Sequence, residues 1–278
     1  MTDTPIGDGP AARIPVAVAG AAGRMGRLLT AALADHPRLR LGACLMQTGH
    51  PWLTGAPADL PVPLPAGVRI TDDPAEALAT ARGVIDFTLP AAAPAIAAAA
   101  GAAGAVHVLG TSGFTEAELA ALEEAGRGAV TIRSGNMSLG VNLLAVLTRQ
   151  VAAALDDNFD IEIVEMHHRA KVDAPSGTAM MLAEAAAEGR GVALAEAAVR
   201  GRDGHTGARV PGTIGLAALR GGDVVGEHDV IFAGAGERLV LRHISTDRGL
   251  YARGALKAAE WGLGQPPGQY SMLEVLGL

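Results

Sequence analysis

The tightest constraint on the fold lies at residues 13–36. There the β-branched run RIPVAVAG ends on Gly20-Ala-Ala-Gly23-Arg24-Met25-Gly26, and the helical pattern RMGRLLTAALADH follows at once. A glycine turn between a strand and a helix suits a dinucleotide. Gly20 and Gly23 let the backbone turn and approach a pyrophosphate, the helix N-terminus offers unpaired N–H groups, and Gly26 lets helix and strand pack closely. The plainer alternative is a tight turn in a chain rich in alanine and glycine. The strand-turn-helix context favours the dinucleotide, with Arg24 placed to meet a phosphate. Further strand-like runs, RLGACLMQ, GVIDFTLP, AVHVLGTS and AVTIRSGN, alternate with Ala-rich helical stretches. This pattern predicts a doubly wound α/β domain, a parallel sheet of Rossmann type covered by helices. One of the helices, TEAELAALEEAGRG, opens on a Thr115/Glu118 capping box.

Such domains usually carry an acidic residue for the ribose about 20 residues beyond the turn. Here the second strand ends Leu45-Met46-Gln47 instead. With neither a carboxylate for a 2'-hydroxyl nor an arginine for a 2'-phosphate, the choice between NADH and NADPH stays open. Gly110-Thr111-Ser-Gly-Phe114 follows a later strand, where open α/β sheets bind ligands, although an ordinary strand-to-helix connection reads the same way.

The length, 278 residues, accommodates two domains. A formal charge of -7 gives no footprint for a polyanion, and aromatics at 3% supply no stacking platform, so nucleic acid is not an expected partner. The single cysteine, Cys44, excludes an internal disulfide and a cysteine-rich metal cluster. The opening MTDTPIGDGPAA has neither a basic start nor an apolar run; it reads as a loose tail rather than a signal peptide, and the expected compartment is cytoplasmic. Residues 91–110, AAAPAIAAAAGAAGAVHVLG, approach the length of a membrane span. Their Pro94, Gly101, Gly104 and His107, and their reliance on weakly hydrophobic alanine, favour a buried helix followed by a strand, so no membrane is expected. The proline-rich PWLTGAPADLPVPLPAG reads as an exposed loop.

After Asn136 the texture changes. SLGVNLLAVLTRQVAAAL reads as a long helix and FDIEIVEMHH alternates as a half-buried strand. GTIGLAALRGGDVVGEHDVIFAGAGERLVLRHIS then reads as three strands joined by Gly-rich turns, an antiparallel or mixed sheet in a second, α+β domain. The tail DRGLYARGALKAAEWGLGQ is an amphipathic helix that fits either domain.

Chemistry concentrates in EMHHRAKVDAPSGTA, residues 165–179. On an extended strand His167 and His168 point to opposite sides, which disfavours a shared metal, and the i,i+4 helical spacing of zincins is absent; no metal is expected. Lys171 lies within reach of the strand end, and a helix begins through Pro175 and Ser176, its first N–H groups free for an anion. Alone, that start reads as a normally capped helix. Joined to a lysine, a histidine and a nicotinamide domain, it points to a small carboxylate substrate that is reduced by hydride and protonated nearby.

EMHHRAKVDAPSGTA resembles the signature of the 4-hydroxy-tetrahydrodipicolinate reductase (dihydrodipicolinate reductase) family. The likeness runs from VAVAGAAGRMG through GTSGF and SGNMSLGVN to RDGHTGARVPGTIG, VVGEHDVIF and RHISTDR. It implies a Rossmann domain over 13–137 completed by 247–278, and a substrate-binding, tetramer-forming domain over 138–246 with a mixed, largely open sheet. The implied reaction is hydride transfer from NADH or NADPH to C4 of a cyclic conjugated imine dicarboxylate, in lysine synthesis through diaminopimelate. By matched position, His167 resembles the acid and Lys171 its cationic partner. His168, Lys171, Ser176, Gly177 and Thr178 resemble the groups that hold substrate carboxylates. Gly20, Gly23, Arg24, Met25 and Gly26, with Gln47, match the phosphate turn and ribose position; Gly110, Thr111 and Phe114, with Asn136, Met137 and Ser138, match the nicotinamide lining. Met46-Gln47 departs from the acidic residue and arginine frequent in relatives, which bears on cofactor preference. Substrate carboxylates would raise the pKa of His167 while Lys171 lowers it, and the sequence leaves the balance open.

Overall fold

The computed structural model describes residues 12–55, 57, 60 and 63–278. The expected loose tail, residues 1–11 of it, lies outside the described residues, as do 56, 58–59 and 61–62 of the proline-rich loop. That loop otherwise holds a single 3₁₀ turn, Pro51–Leu53.

The chain forms two compact units: one runs to Ser134 and takes in Ala252–Val275, and the other comprises Gly135–Tyr251 with Leu276–Leu278. The first contains β1 (Ile14–Ala19), α1 (Arg24–Ala34), β2 (Leu39–Leu45), β3 (Arg69–Thr71), α2 (Pro74–Leu78), β4 (Gly83–Asp86), α3 (Ala93–Ala103), β5 (Val106–Leu109), α4 (Glu116–Ala125) and β6 (Val130–Arg133). The second contains α5 (Leu139–Ala154), β7 (Asp160–His167), α6 (Gly177–Arg190), α7 (Leu194–Ala197), β8 (Ala198–Arg200), β9 (Ile214–Arg220), β10 (Gly226–Gly234) and β11 (Glu237–Ser245). Helix α8 (Gly249–Gly262), β12 (Gly268–Tyr270) and α9 (Met272–Leu276) follow.

In the first unit seven strands lie in the order β12-β6-β5-β4-β1-β2-β3, all their pairings parallel. Strands buried on both faces need continuous apolar runs, and β4 and β5 are buried along their whole length. The order reverses beside β1, which places the glycine turn at the carboxyl end of the central strand, where doubly wound sheets bind ligands. The 91–110 tract is α3 followed by β5, and among the described residues no helix is long and apolar enough to cross a membrane. The capping box on Thr115 and Glu118 is formed in full.

The second unit has a mixed sheet in the order β11-β10-β7-β9-β8, antiparallel on one side of β7 and parallel on the other. Only β10 and β11 form the hairpin that the Gly-rich turns imply; β7 inserts between β9 and β10. Every second residue of β7, Ile161, Ile163, Glu165 and His167, is buried. Ile161 and Ile163 join Ile214, Leu216, Val230 and Phe232 against α5 and α6. Two polar side chains, Glu165 and His167, thus continue the core-facing row.

Candidate functional site

In the first unit Gly20 has φ +66°, and a Cβ on Gly26 would run into the Gly20 carbonyl, so the turn requires glycine at both positions. Helix α1 has Gly23 as its N-cap and therefore no side-chain cap. Among the described residues, the N–H groups of Arg24, Met25 and Gly26 find no acceptor within the protein. Uncapped donors at a helix start, with a glycine cradle before them, fit a pyrophosphate. Arg24 is exposed and Met25 half-buried. Gln47 is exposed just past β2, while Met46 beside it is buried and its N–H donates to the Thr71 carbonyl.

The ends of β4 and β5 are tied together by Asp86, a residue the sequence reading passes over. Its Oδ1 accepts from the Thr88 N–H at 2.8 Å, the Thr88 hydroxyl at 2.6 Å and the Thr111 hydroxyl at 3.2 Å; its Oδ2 faces His107 Nε2 at 3.5 Å. Burial pushes the Asp86 carboxyl up, but His107 and Thr88 outweigh burial and hold it below the ordinary range. Gly110 leaves room for the Phe87 ring, which any side chain there would strike. Phe114 packs on the Leu109 and Leu122 cluster.

The remaining sequence-derived residues fall in the second unit. Ser138 caps α5 by accepting from the Val141 N–H, and Asn136 Oδ1 accepts from the Ser138 N–H at 2.8 Å. Asn136 Nδ2 donates to Thr178 Oγ1 at 2.9 Å, joining the head of α5 to the head of α6; Met137 is buried between them in sequence. Ser176 Oγ caps α6 through the Ala179 N–H, so the plainer capping reading is correct for that hydroxyl. The N–H groups of Gly177 and Thr178 keep no partner among the described residues, and Gly177 faces open space. The turn therefore caps its helix and still offers donors to an anion.

The adjacent histidines part company. His167 Nδ1 meets Glu165 Oε2 at 2.6 Å, whereas His168 Nε2 lies 3.1 Å from Arg248 Nη2. Among the described residues no group of three or more His, Cys, Asp or Glu side chains is arranged to hold a metal. Lys171 Nζ donates to Asp173 at 2.8 Å rather than to a histidine. Glu165 also takes both Arg220 terminal nitrogens, at 2.8 and 2.9 Å. Burial alone would raise the Glu165 carboxyl, but Arg220, His167 and the Ser176 N–H bring it below the ordinary range. His167 is lowered, first by burial and then by Lys171 and Arg220, against the opposing pull of Glu165. His228 on β10 stacks edge-on against His167 with centroids 5.1 Å apart, its Nε2 3.3 Å from Ser176 Oγ. Burial, then the His167 charge, lowers His228 to about 4, so it is neutral near pH 7.

Glu165 was readable from parity, since it stands in step with Ile161 and Ile163. Arg220 and His228 are neighbours only through strand pairing, His167 with Arg220 and Glu165 with His228.

The family models described as Dihydrodipicolinate reductase, N-terminus and C-terminus match residues 14–137 and 140–276. A 4-hydroxy-tetrahydrodipicolinate reductase of Ruegeria pomeroyi is 57% identical over 263 residues, covering 95% of this chain and 98% of the relative. One of Dinoroseobacter shibae is 58% identical over 266 residues with the same coverage. A dipicolinate-bound dihydrodipicolinate reductase from Paenisporosarcina sp. TG-14 superposes with a TM-score of 0.73 over 94% of this chain and 98% of that one, at 24% identity, and shares the fold. With both halves matched and relatives this similar over nearly their whole length, the chain belongs to the dihydrodipicolinate reductase family.

Proposed function

We propose that the chain reduces 4-hydroxy-tetrahydrodipicolinate to tetrahydrodipicolinate through His167, Lys171 and the Ser176-Gly177-Thr178 turn, as an NADH- or NADPH-dependent oxidoreductase of the diaminopimelate route to lysine. The observation that carries this reading is the convergence of the Glu165-bound His167, Lys171 and a helix start with unpaired N–H groups on a single strand end. The 4-hydroxyl leaves as water to give the conjugated ring, and the reduced nicotinamide, when bound, supplies a hydride for its C4. Gly20, Gly23, Arg24, Met25 and Gly26 would hold its pyrophosphate and Gln47 would lie near the ribose, while Gly110, Thr111 and Phe114, with Asn136, Met137 and Ser138, would border the nicotinamide.

The N–H groups of Gly177 and Thr178 and the Thr178 hydroxyl would receive one substrate carboxylate. The other would meet His168 and Lys171, replacing Asp173 as the lysine's partner. Two incoming negative charges raise the pKa of His167, which burial holds down in the free protein, so the histidine gains its proton as substrate binds. His167 then delivers that proton to the ring as hydride arrives, and Lys171 balances the charge.

A cytoplasmic homotetramer belongs to the same proposal. Its support is the sheet face turned away from α5 and α6, where Leu219, Met166, Glu227 and Ile244 form one cross-strand row. Leu219, Val240 and Ile244 are about half exposed there, at 50%, 47% and 50%.

The acid and the clamp should fail differently. His167→Gln should lower kcat by roughly 10²–10⁴ with little change in KM, because a general acid acts in the transition state. Thr178→Val should chiefly raise KM, by a factor corresponding to about 1.5–3 kcal/mol, the worth of a hydrogen bond to a charged group. Steady-state kinetics of the two variants separate the roles. If His167→Gln keeps its kcat and only weakens KM, the histidine binds and does not protonate.

A further inference from the structure

Glu165 is 1% exposed, and a carboxylate so buried is costly unless donors meet both oxygens. Here Oε2 faces His167 Nδ1 at 2.6 Å and accepts from Arg220 Nη1 at 2.8 Å. Its Oε1 accepts from Arg220 Nη2 at 2.9 Å and from the Ser176 N–H at 3.1 Å. Arg220 Nη2 also donates to the Asp173 carbonyl at 2.6 Å, which ties down the loop that carries Lys171. The histidine, the lysine loop and the first residue of the anion-binding turn all meet at this carboxylate.

An imidazole whose Nδ1–H is committed to a carboxylate has only Nε2 left for other work. On β10, Gly226 leaves that atom room: a Cβ there would stand 3.0 Å from His167 Nε2. We propose that Glu165, held by Arg220, is the positioning residue of the proton-delivery step. It fixes His167 in the Nδ1–H tautomer so that Nε2 carries the transferable proton, and through the Ser176 N–H it sets the clamp in register with that atom. The proposal rests on the reading of His167 as the acid. The other ionisable groups that face His167 are Lys171 from the loop, Arg220 from β9 and His228 from β10, with His243 of β11 beyond His228. The negative charge facing His167 is that of Glu165.

The test is ¹⁵N NMR of the imidazoles in the full chain across pH, with His167 assigned from His167→Gln, beside the kinetics of Glu165→Gln. In the wild-type protein neutral His167 should carry its proton on Nδ1. Glu165→Gln, similar in shape and uncharged, should mix the tautomers, lower kcat about 10–10³-fold, raise KM by less than kcat falls, and move the pH limb of kcat downward. Glu165→Asp, which keeps the charge, should recover part of that limb, a rescue that a merely structural role would not give. A wild-type proton on Nε2, which needs no variant to observe, would overturn the proposal, as would wild-type kcat and pH limb in a folded Glu165→Gln. Wild-type kcat in His167→Gln would instead overturn the acid reading beneath it.

Discussion

His167 is pulled two ways in the free protein, and burial leads the downward pull. Desolvation, Lys171 and Arg220 together outweigh Glu165 and put its pKa below 6.5. For a group that must be protonated to act, activity falls as pH rises through the relevant pKa. The profile of kcat/KM, which reports the free enzyme, should therefore break below pH 6.5; that of kcat should break at higher pH, because bound carboxylates favour the imidazolium. Coincident breaks, or none between pH 5 and 8, would contradict this balance. Much of the candidate site was legible residue by residue in EMHHRAKVDAPSGTA, since the chemistry is local in sequence. Arg220 and His228 were not, because strand register brings them to Glu165 from 55 and 63 positions away. The family resemblance proposes Thr178 as an anion ligand, but its part as the acceptor for Asn136 was not legible, so Thr178→Val also loosens the link between two helix heads.

The glycine turn between β1 and α1 does most to shape the first unit. Gly26→Ala places a methyl against the Gly20 carbonyl and the Ala21 backbone, and backbone atoms cannot swing aside as a side chain can. The variant should lose about 1–3 kcal/mol of stability, as overpacking usually costs, and bind NADH and NADPH more weakly. Denaturant melts and cofactor fluorescence titration would measure both effects, and wild-type values in both would show that the turn tolerates a side chain. Elements with a long periodic signal, such as α5, β7 and α6, were readable from sequence. The three-residue strands β3, β8 and β12 were not, because three residues hold too little alternation to separate from a loop. The insertion of β7 between β9 and β10 escaped for another reason: Gly-rich turns mark where a chain bends, not which strand it pairs with.

For the whole molecule, half-exposed Leu219, Val240 and Ile244 on one sheet face call for a cover. A double change, Val240→Glu with Ile244→Glu, should convert the proposed tetramer to smaller species in light scattering, since paired charges do not desolvate without partners. A monomeric wild-type protein would remove that part of the proposal. Exposed Gln47, proposed to lie near the ribose, offers neither a carboxylate nor a cation to choose between a ribose hydroxyl and a phosphate. The chain is proposed to reduce one cyclic imine dicarboxylate with either nicotinamide. The direct measurement follows NADH and NADPH oxidation separately, with freshly prepared 4-hydroxy-tetrahydrodipicolinate. Both should be oxidised, with kcat/KM values within about tenfold, or about 1.4 kcal/mol, of each other; oxidation of neither would contradict the assigned reaction.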